Sequence, residues 1–109
     1  MKLITVYIRP ECLTAVKQAL YAKGIYTMSV TNILGSGRGA GFTETYRGVL
    51  MEVNLLKKLR IEIGIAEDKV DTAIEAIKTG AQTGKEGDGV IFVSDIARCM
   101  RIRTGEETL

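Results

Sequence analysis

Apolar and polar positions alternate between two periods along the chain. Leu3, Ile4, Val6, Tyr7 and Ile8 form a run rich in β-branched residues. It halts at Pro10, which cannot donate to a ladder, and predicts a first strand. Leu13, Val16 and Leu20 then fall three and four apart, the spacing of one helical stripe, and Lys23 and Gly24 supply a basic last turn and a stop. Residues 26–34 return to a β-type pattern, broken at 35–41 by Gly35, Gly37, Gly39 and Gly41. Residues 42–53 mix polarities with no convincing period. Between 58 and 66, Leu59, Ile61, Ile63 and Ile65 alternate with Arg60 and Glu62, predicting a strand with the aliphatic residues inward. Behind Asp68, the stripe Val70, Ile74, Ile77 carries Asp71 and Glu75 early and Lys78 late, the polarity a helix dipole favours. A second glycine loop at 83–89 leads into Val90, Ile91, Phe92 and Val93, a fourth strand.

The order is βαββαβ, which predicts an α+β, ferredoxin-like domain spanning 1–109, an antiparallel sheet with both helices on one face. About twenty residues separate strands two and three, and compact domains seldom keep structureless connections beyond ~15 residues unless the loop is functional or disordered. That span is the first candidate for a working surface; a long hairpin with weak ends is the other reading. The fold hosts many functions and licenses none.

Composition narrows the chemistry. The 109 residues carry 15 basic and 13 acidic side chains, a formal charge of +2 that does not argue for nucleic acid. Histidine is absent, and Cys12 and Cys99 form no C-x-x-C pair, so a Cys/His zinc site, a Ser-His-Asp triad and a Cys-His dyad are excluded. Neither a spanning apolar run nor a secretory signal is present in this sequence, so a cytoplasmic protein is expected. A domain this small gains from oligomerisation.

Three segments suit anions. The 83–89 loop offers unhindered amides, Lys85 and Asp88, yet it is not a Walker A loop: Gly80 sits three residues before Gly84-Lys85, Glu86 follows, and a strand comes next. Arg101 and Arg103, two apart, project from one side of an extended segment and can grip phosphate oxygens. Lys57 and Lys58 stand where the long loop rejoins the sheet. Glu62 and Asp88 read as separate salt-bridge carboxylates rather than a catalytic pair. Gly35-Ser36-Gly37-Arg38-Gly39-Ala40 fits G-x-G-x-x-A, but no helix follows it, so the dinucleotide reading fails. RNA-recognition modules share the element order. The motif around Arg38 to Thr45, however, carries alanine and threonine where stacking aromatics are required.

Thr83-Gly84-Lys85-Glu86-Gly87-Asp88-Gly89-Val90-Ile91-Phe92, Arg101-Ile102-Arg103-Thr104-Gly105-Glu106 and Thr43-Glu44-Thr45-Tyr46-Arg47-Gly48 together resemble the PII signal-transduction proteins, over the length of the chain. The resemblance implies a homotrimer binding adenine nucleotides (ATP, ADP or AMP) in clefts between subunits. A T-loop at about 35–56 would engage a membrane transporter or metabolic enzyme, beside a B-loop at 82–90 and a C-loop at 101–106. Carried over by position, Gly37, Arg38, Lys58, Gly87, Asp88 and Gly89 would hold phosphates. Arg101 and Arg103 would join them, and Met28, Ser29, Glu62 and Gly64 would surround the adenine. Arg47 matches the arginine that plugs an ammonium channel in relatives, and Tyr46, Val49, Leu50 and Met51 would share that partner surface. The resemblance implies a regulator; its enzymatic alternative is slow ATP hydrolysis.

Departures from the family pattern matter. Gly39 replaces the glutamine that ligates magnesium and joins 2-oxoglutarate to ATP, and Val90 replaces a phosphate-contacting lysine. Met51 and Val49 stand where relatives carry a modifiable tyrosine and a phosphorylated serine. These losses suggest a divergent branch without 2-oxoglutarate sensing or uridylylation. A bicarbonate-type anion would still fit near Arg47 or the loop base, linking the protein to bicarbonate transport or carboxysomes. An ATP- and 2-oxoglutarate-responsive nitrogen regulator of an ammonium channel or nitrogenase is the alternative.

Overall fold

The computed structural model describes residues 1–36, 42–46, 49–53 and 55–107, the two middle stretches by their backbone alone. Strands β1 (Lys2–Ile8), β2 (Ser29–Gly35), β5 (Leu56–Ile65) and β6 (Gly89–Asp95) form one sheet in the order β2-β5-β1-β6. Every pairing in it is antiparallel. Helices α1 (Leu13–Ala22) and α2 (Val70–Ala81) each follow a short 3-10 turn, Pro10–Cys12 and Glu67–Lys69. This is the ferredoxin-like arrangement expected. The extra turn before α2 moves its N-cap to Lys69, so Asp68 stands one residue outside. β2 begins at Ser29, leaving Tyr26 and Met28 outside the strand that residues 26–34 predicted.

Register explains why one face is dry. Ile4 lies opposite Ile63, Val6 opposite Ile61 and Ile8 opposite Leu59, so the alternating aliphatic residues of β1 and β5 fall on the same side. They pack with Val16 and Leu20 of α1 and with Ala73, Ala76, Ile77 and Ala81 of α2. Most of the buried α2 stripe is alanine, which lets the two helices approach closely. A Cβ on Gly80 would lie 2.6 Å from both Cα and N of Val16. The opposite face carries Thr5 and Tyr7 of β1, Lys58, Arg60 and Glu62 of β5, and Val90 and Phe92 of β6. Phe92 is 51% exposed there and meets the Tyr7 ring edge-on at 6.0 Å.

The long connection differs from its aperiodic reading. β3 (Phe42–Tyr46) and β4 (Val49–Val53) form an antiparallel ladder of their own, from Phe42↔Val53 to Tyr46↔Val49. Backbone hydrogen bonds alone define this ladder, and they leave no hydrophobic period for the sequence to show. Gly35 pairs with Leu56, so the main sheet extends to both ends of the 35–56 span. No helix among the described residues is long and apolar enough to cross a membrane.

Candidate functional site

The C-terminal end of β1 and the 83–89 loop are built around each other. β6 starts at Gly89, opposite Ile8, and Gly89 has φ +116° with its α-carbon against the Tyr7 carbonyl. Asp88 fastens the loop internally. Its Oδ2 accepts from the Thr83 amide at 2.7 Å and the Gly84 amide at 2.9 Å, and its Oδ1 accepts from the Thr83 hydroxyl. Arg9 adds a bond from Nε to Asp88 Oδ1 at 3.2 Å and another from its guanidinium to the Glu86 carbonyl. The Thr83 hydroxyl bond, the two amides and Arg9 hold the Asp88 carboxyl well below the usual carboxylate range, against the opposing effect of partial burial. The loop is therefore only in part the open amide cradle that its glycines suggested. The Thr83 and Gly84 amides serve Asp88, and the Lys85 amide donates to the Thr83 hydroxyl at 3.3 Å. The amides of Glu86 and Gly87 have no acceptor among the described residues.

Lys58 reaches this loop from the open face of β5, its ammonium donating to the Gly87 carbonyl. Gly87 has φ +92°, and a Cβ there would lie 3.3 Å from the Arg9 guanidinium and 3.4 Å from the Lys58 ammonium. Two cations thus converge on one glycine. Beside them a cleft of about 590 Å³ is lined by Gly35 and Ser36 from the loop base, Lys58, Glu86, Gly87 and Gly89, with Tyr7, Ile33, Leu34 and Val90 as its apolar wall. Lys58, the amides of Glu86 and Gly87 that lack an acceptor among the described residues, and an apolar wall suit a ligand with an anionic end and a flat organic part.

The remaining sequence candidates fall elsewhere. Ser29 pairs with Glu62, and Gly64 lies two residues further along β5. At ~3.3 Å per residue, these positions stand ~13–20 Å from Lys58 along the same strand. Met28, half-buried against the core, immediately precedes Ser29. Glu62 faces Arg60, Oε1 to Nε 3.8 Å, so Glu62 and Asp88 are held by different cations, as separate salt bridges. Arg101 and Arg103 correct an expectation: the segment is a turn rather than an extended pair. Met100 bridges Glu107, the Gly105 amide donates to Arg101 O at 2.8 Å, and Ile102–Thr104 form the bend. Both arginines are exposed, and neither forms an ion pair among the described residues. Gly37, Arg38, Gly39 and Arg47 lie outside the described residues, and Tyr46, Val49, Leu50 and Met51 are placed only as backbone of β3 and β4.

Sequence reasoning missed Arg9. Nothing local marks it, since it sits between a strand and Pro10; only the register of β1 against β6 brings it to a loop 77 residues away.

The sequence matches the family described as nitrogen regulatory protein P-II over residues 1–106. It is 47% identical over 106 residues to nitrogen regulatory protein GlnK of Escherichia coli (strain K12), covering 97% of this chain and 95% of that one. Identity reaches 51% over 107 residues with nitrogen regulatory protein P-II of Klebsiella oxytoca, covering 98% and 96%, and 51% with nitrogen regulatory protein P-II 1 of Escherichia coli (strain K12).

Proposed function

Because this chain belongs to the nitrogen regulatory protein P-II family, we propose that it is a regulator that binds an adenine nucleotide and signals through residues 35–56. One observation carries the reading: Lys58, Glu86 and Gly87, the last two with amides that have no acceptor among the described residues, line a cleft whose rim is the base of that loop, and Arg9 holds the 83–89 loop beside it. Phosphates at the rim would bias the loop, because a ligand shifts a conformational equilibrium by its difference in affinity for the two states. The other proposed nucleotide contacts, Ser29, Glu62 and Gly64, lie ~13–20 Å away on the same sheet face. A site joining both ends is completed by a second copy, which supports a homotrimer with clefts between subunits. The exposed Phe92 and Val90 give that face a reason to be covered. The target is a transporter or a metabolic enzyme.

Gly39 and Val90 carry no metal ligand and no phosphate-binding charge, which supports weak coupling to magnesium and 2-oxoglutarate. Identity near one half with named nitrogen regulators supports the second reading, an ATP- and 2-oxoglutarate-responsive nitrogen regulator. Calorimetric titration with ATP, ADP and AMP, with and without magnesium, 2-oxoglutarate and bicarbonate, decides between them. Nucleotide binding indifferent to 2-oxoglutarate is expected, and a bicarbonate effect would add the inorganic-carbon link. Tightening of ATP binding by 2-oxoglutarate would establish the second reading, and absence of any nucleotide binding would overturn both.

A further inference from the structure

The anion site depends on a loop that has few means of holding its shape. Residues 83–89 carry three glycines, of which Gly84, Gly87 and Gly89 all have positive φ, so the backbone has little intrinsic preference for this path. Asp88 ties the start of the loop to its end, but those bonds are internal and leave the loop's position on the sheet undetermined. Three contacts supply the position, the first being Lys58 of β5, which donates to the Gly87 carbonyl. Gly89 rests on the Tyr7 carbonyl, and Arg9, two residues further along the chain, grips the Glu86 carbonyl and the Asp88 carboxylate together.

We infer that Arg9 is the positioning residue of the 83–89 loop, setting from the end of β1 the placement of the Glu86 and Gly87 amides relative to Lys58. The inference rests on the nucleotide reading above and names a residue that neither the motifs nor the family resemblance pointed to. Arginine suits the task where lysine does not, because its planar fork presents separate nitrogens to two acceptors at once. Nε takes the carboxylate and a terminal nitrogen takes the carbonyl, so tilting of the loop strains one bond or the other. The side chains of Arg9 and Asp88 are 25% and 22% exposed, so solvent screens the pair less than it would an open surface bridge.

The test uses the full-length protein, with ADP as the probe and four variants: Arg9→Gln, Arg9→Lys, Asp88→Asn and the Arg9→Gln/Asp88→Asn double. Arg9→Gln and Asp88→Asn are each expected to weaken ADP binding about tenfold, on the scale of one charge-assisted hydrogen bond. The double variant is expected to be no weaker than the worse single, because both changes release one loop. Amide exchange at Thr83 and Gly84 is expected to speed up in Arg9→Gln. Arg9→Lys, which keeps the charge but only one of the two acceptors, should fall between wild type and Arg9→Gln and serves as the measurement if Arg9→Gln fails to fold. Additive losses in the double variant would overturn the inference, since they would mean that Arg9 touches the nucleotide itself. Unchanged exchange in Arg9→Gln would overturn it as well. If wild-type protein binds no ADP, the functional reading fails separately and the exchange comparison alone decides whether Arg9 positions the loop.

Discussion

Gly89 is pressed against Tyr7: a Cβ on the glycine would lie 2.8 Å from the Tyr7 carbonyl carbon and closer still to its oxygen. The obstacle is backbone on both sides, at φ +116°, so neither a rotamer change nor a small shift relieves it. Gly89→Ala is therefore expected to cost about 3 kcal/mol in urea unfolding. Gly84→Ala should cost only ~1 kcal/mol, because φ +84° is strained for alanine but the space is open. Equal losses at the two sites would refute the close approach.

Packing sets the sign of a substitution at Gly80. Gly80 lies inside α2, where alanine would be favoured by ~1 kcal/mol on helix propensity alone. The backbone of α1 at Val16 occupies the space its Cβ needs, so Gly80→Ala should instead destabilise by about 1–3 kcal/mol. A raised melting temperature would show that the helices can separate without loss.

Asp88 makes stability depend on pH in a defined direction. Its folded carboxyl is held below the ordinary value by the Thr83 hydroxyl first, then by the Thr83 and Gly84 amides and Arg9. The unfolded chain therefore binds this proton more readily than the folded one does. The contribution is fully present above the ordinary carboxylate pKa of ~3.9 and is lost as pH falls toward the depressed folded value. In urea midpoints measured from pH 6 down to 3, the gap between wild type and Asp88→Asn should hold constant to about pH 5 and then narrow. A gap independent of pH would remove Asp88 from the acid response.

Arg103 is exposed on a turn and forms no ion pair among the described residues, so its loss should leave folding intact. Arg103→Ala is expected to weaken nucleotide binding about tenfold with an unchanged melting temperature. Unaltered affinity by calorimetry would take this arginine out of the site.

Arg47 tests the signalling end of the molecule separately from the binding end. Arg47→Ala should bind nucleotide as wild type does while failing to co-purify with a transporter that wild type retains. Retained capture would move the partner contact to other residues of the 35–56 span.

Most of the fold was legible because burial writes a period into the chain. Leu59, Ile61, Ile63 and Ile65 alternate in sequence and are buried in the structure, and Val16 and Leu20 keep the helical spacing that predicted them. The alanines of α2 were silent, since a small residue marks a close helix contact only when its neighbour is known. The β3–β4 ladder was legible only as the alternative of a long hairpin, since it is defined by backbone pairing and residue type carries little of that information. Of the site, Lys58, Gly87, Asp88 and Gly89 could be picked out from spacing and from resemblance. The turn of Asp88 inward to the loop's own amides could not, because it depends on the path the loop takes.

The βαββαβ order, the aliphatic faces of β1 and β5, the anion-suited glycine loop and the family membership are legible in the residues alone. These follow from local periods and short motifs, which need no knowledge of what lies across the sheet. That Arg9 and Lys58 meet at Gly87, that Gly80 admits no side chain, and that Arg101 precedes a turn containing Arg103 emerge only in the folded chain. Those facts depend on strand register and helix approach, and register is a relation between segments dozens of residues apart, settled when the whole core packs at once.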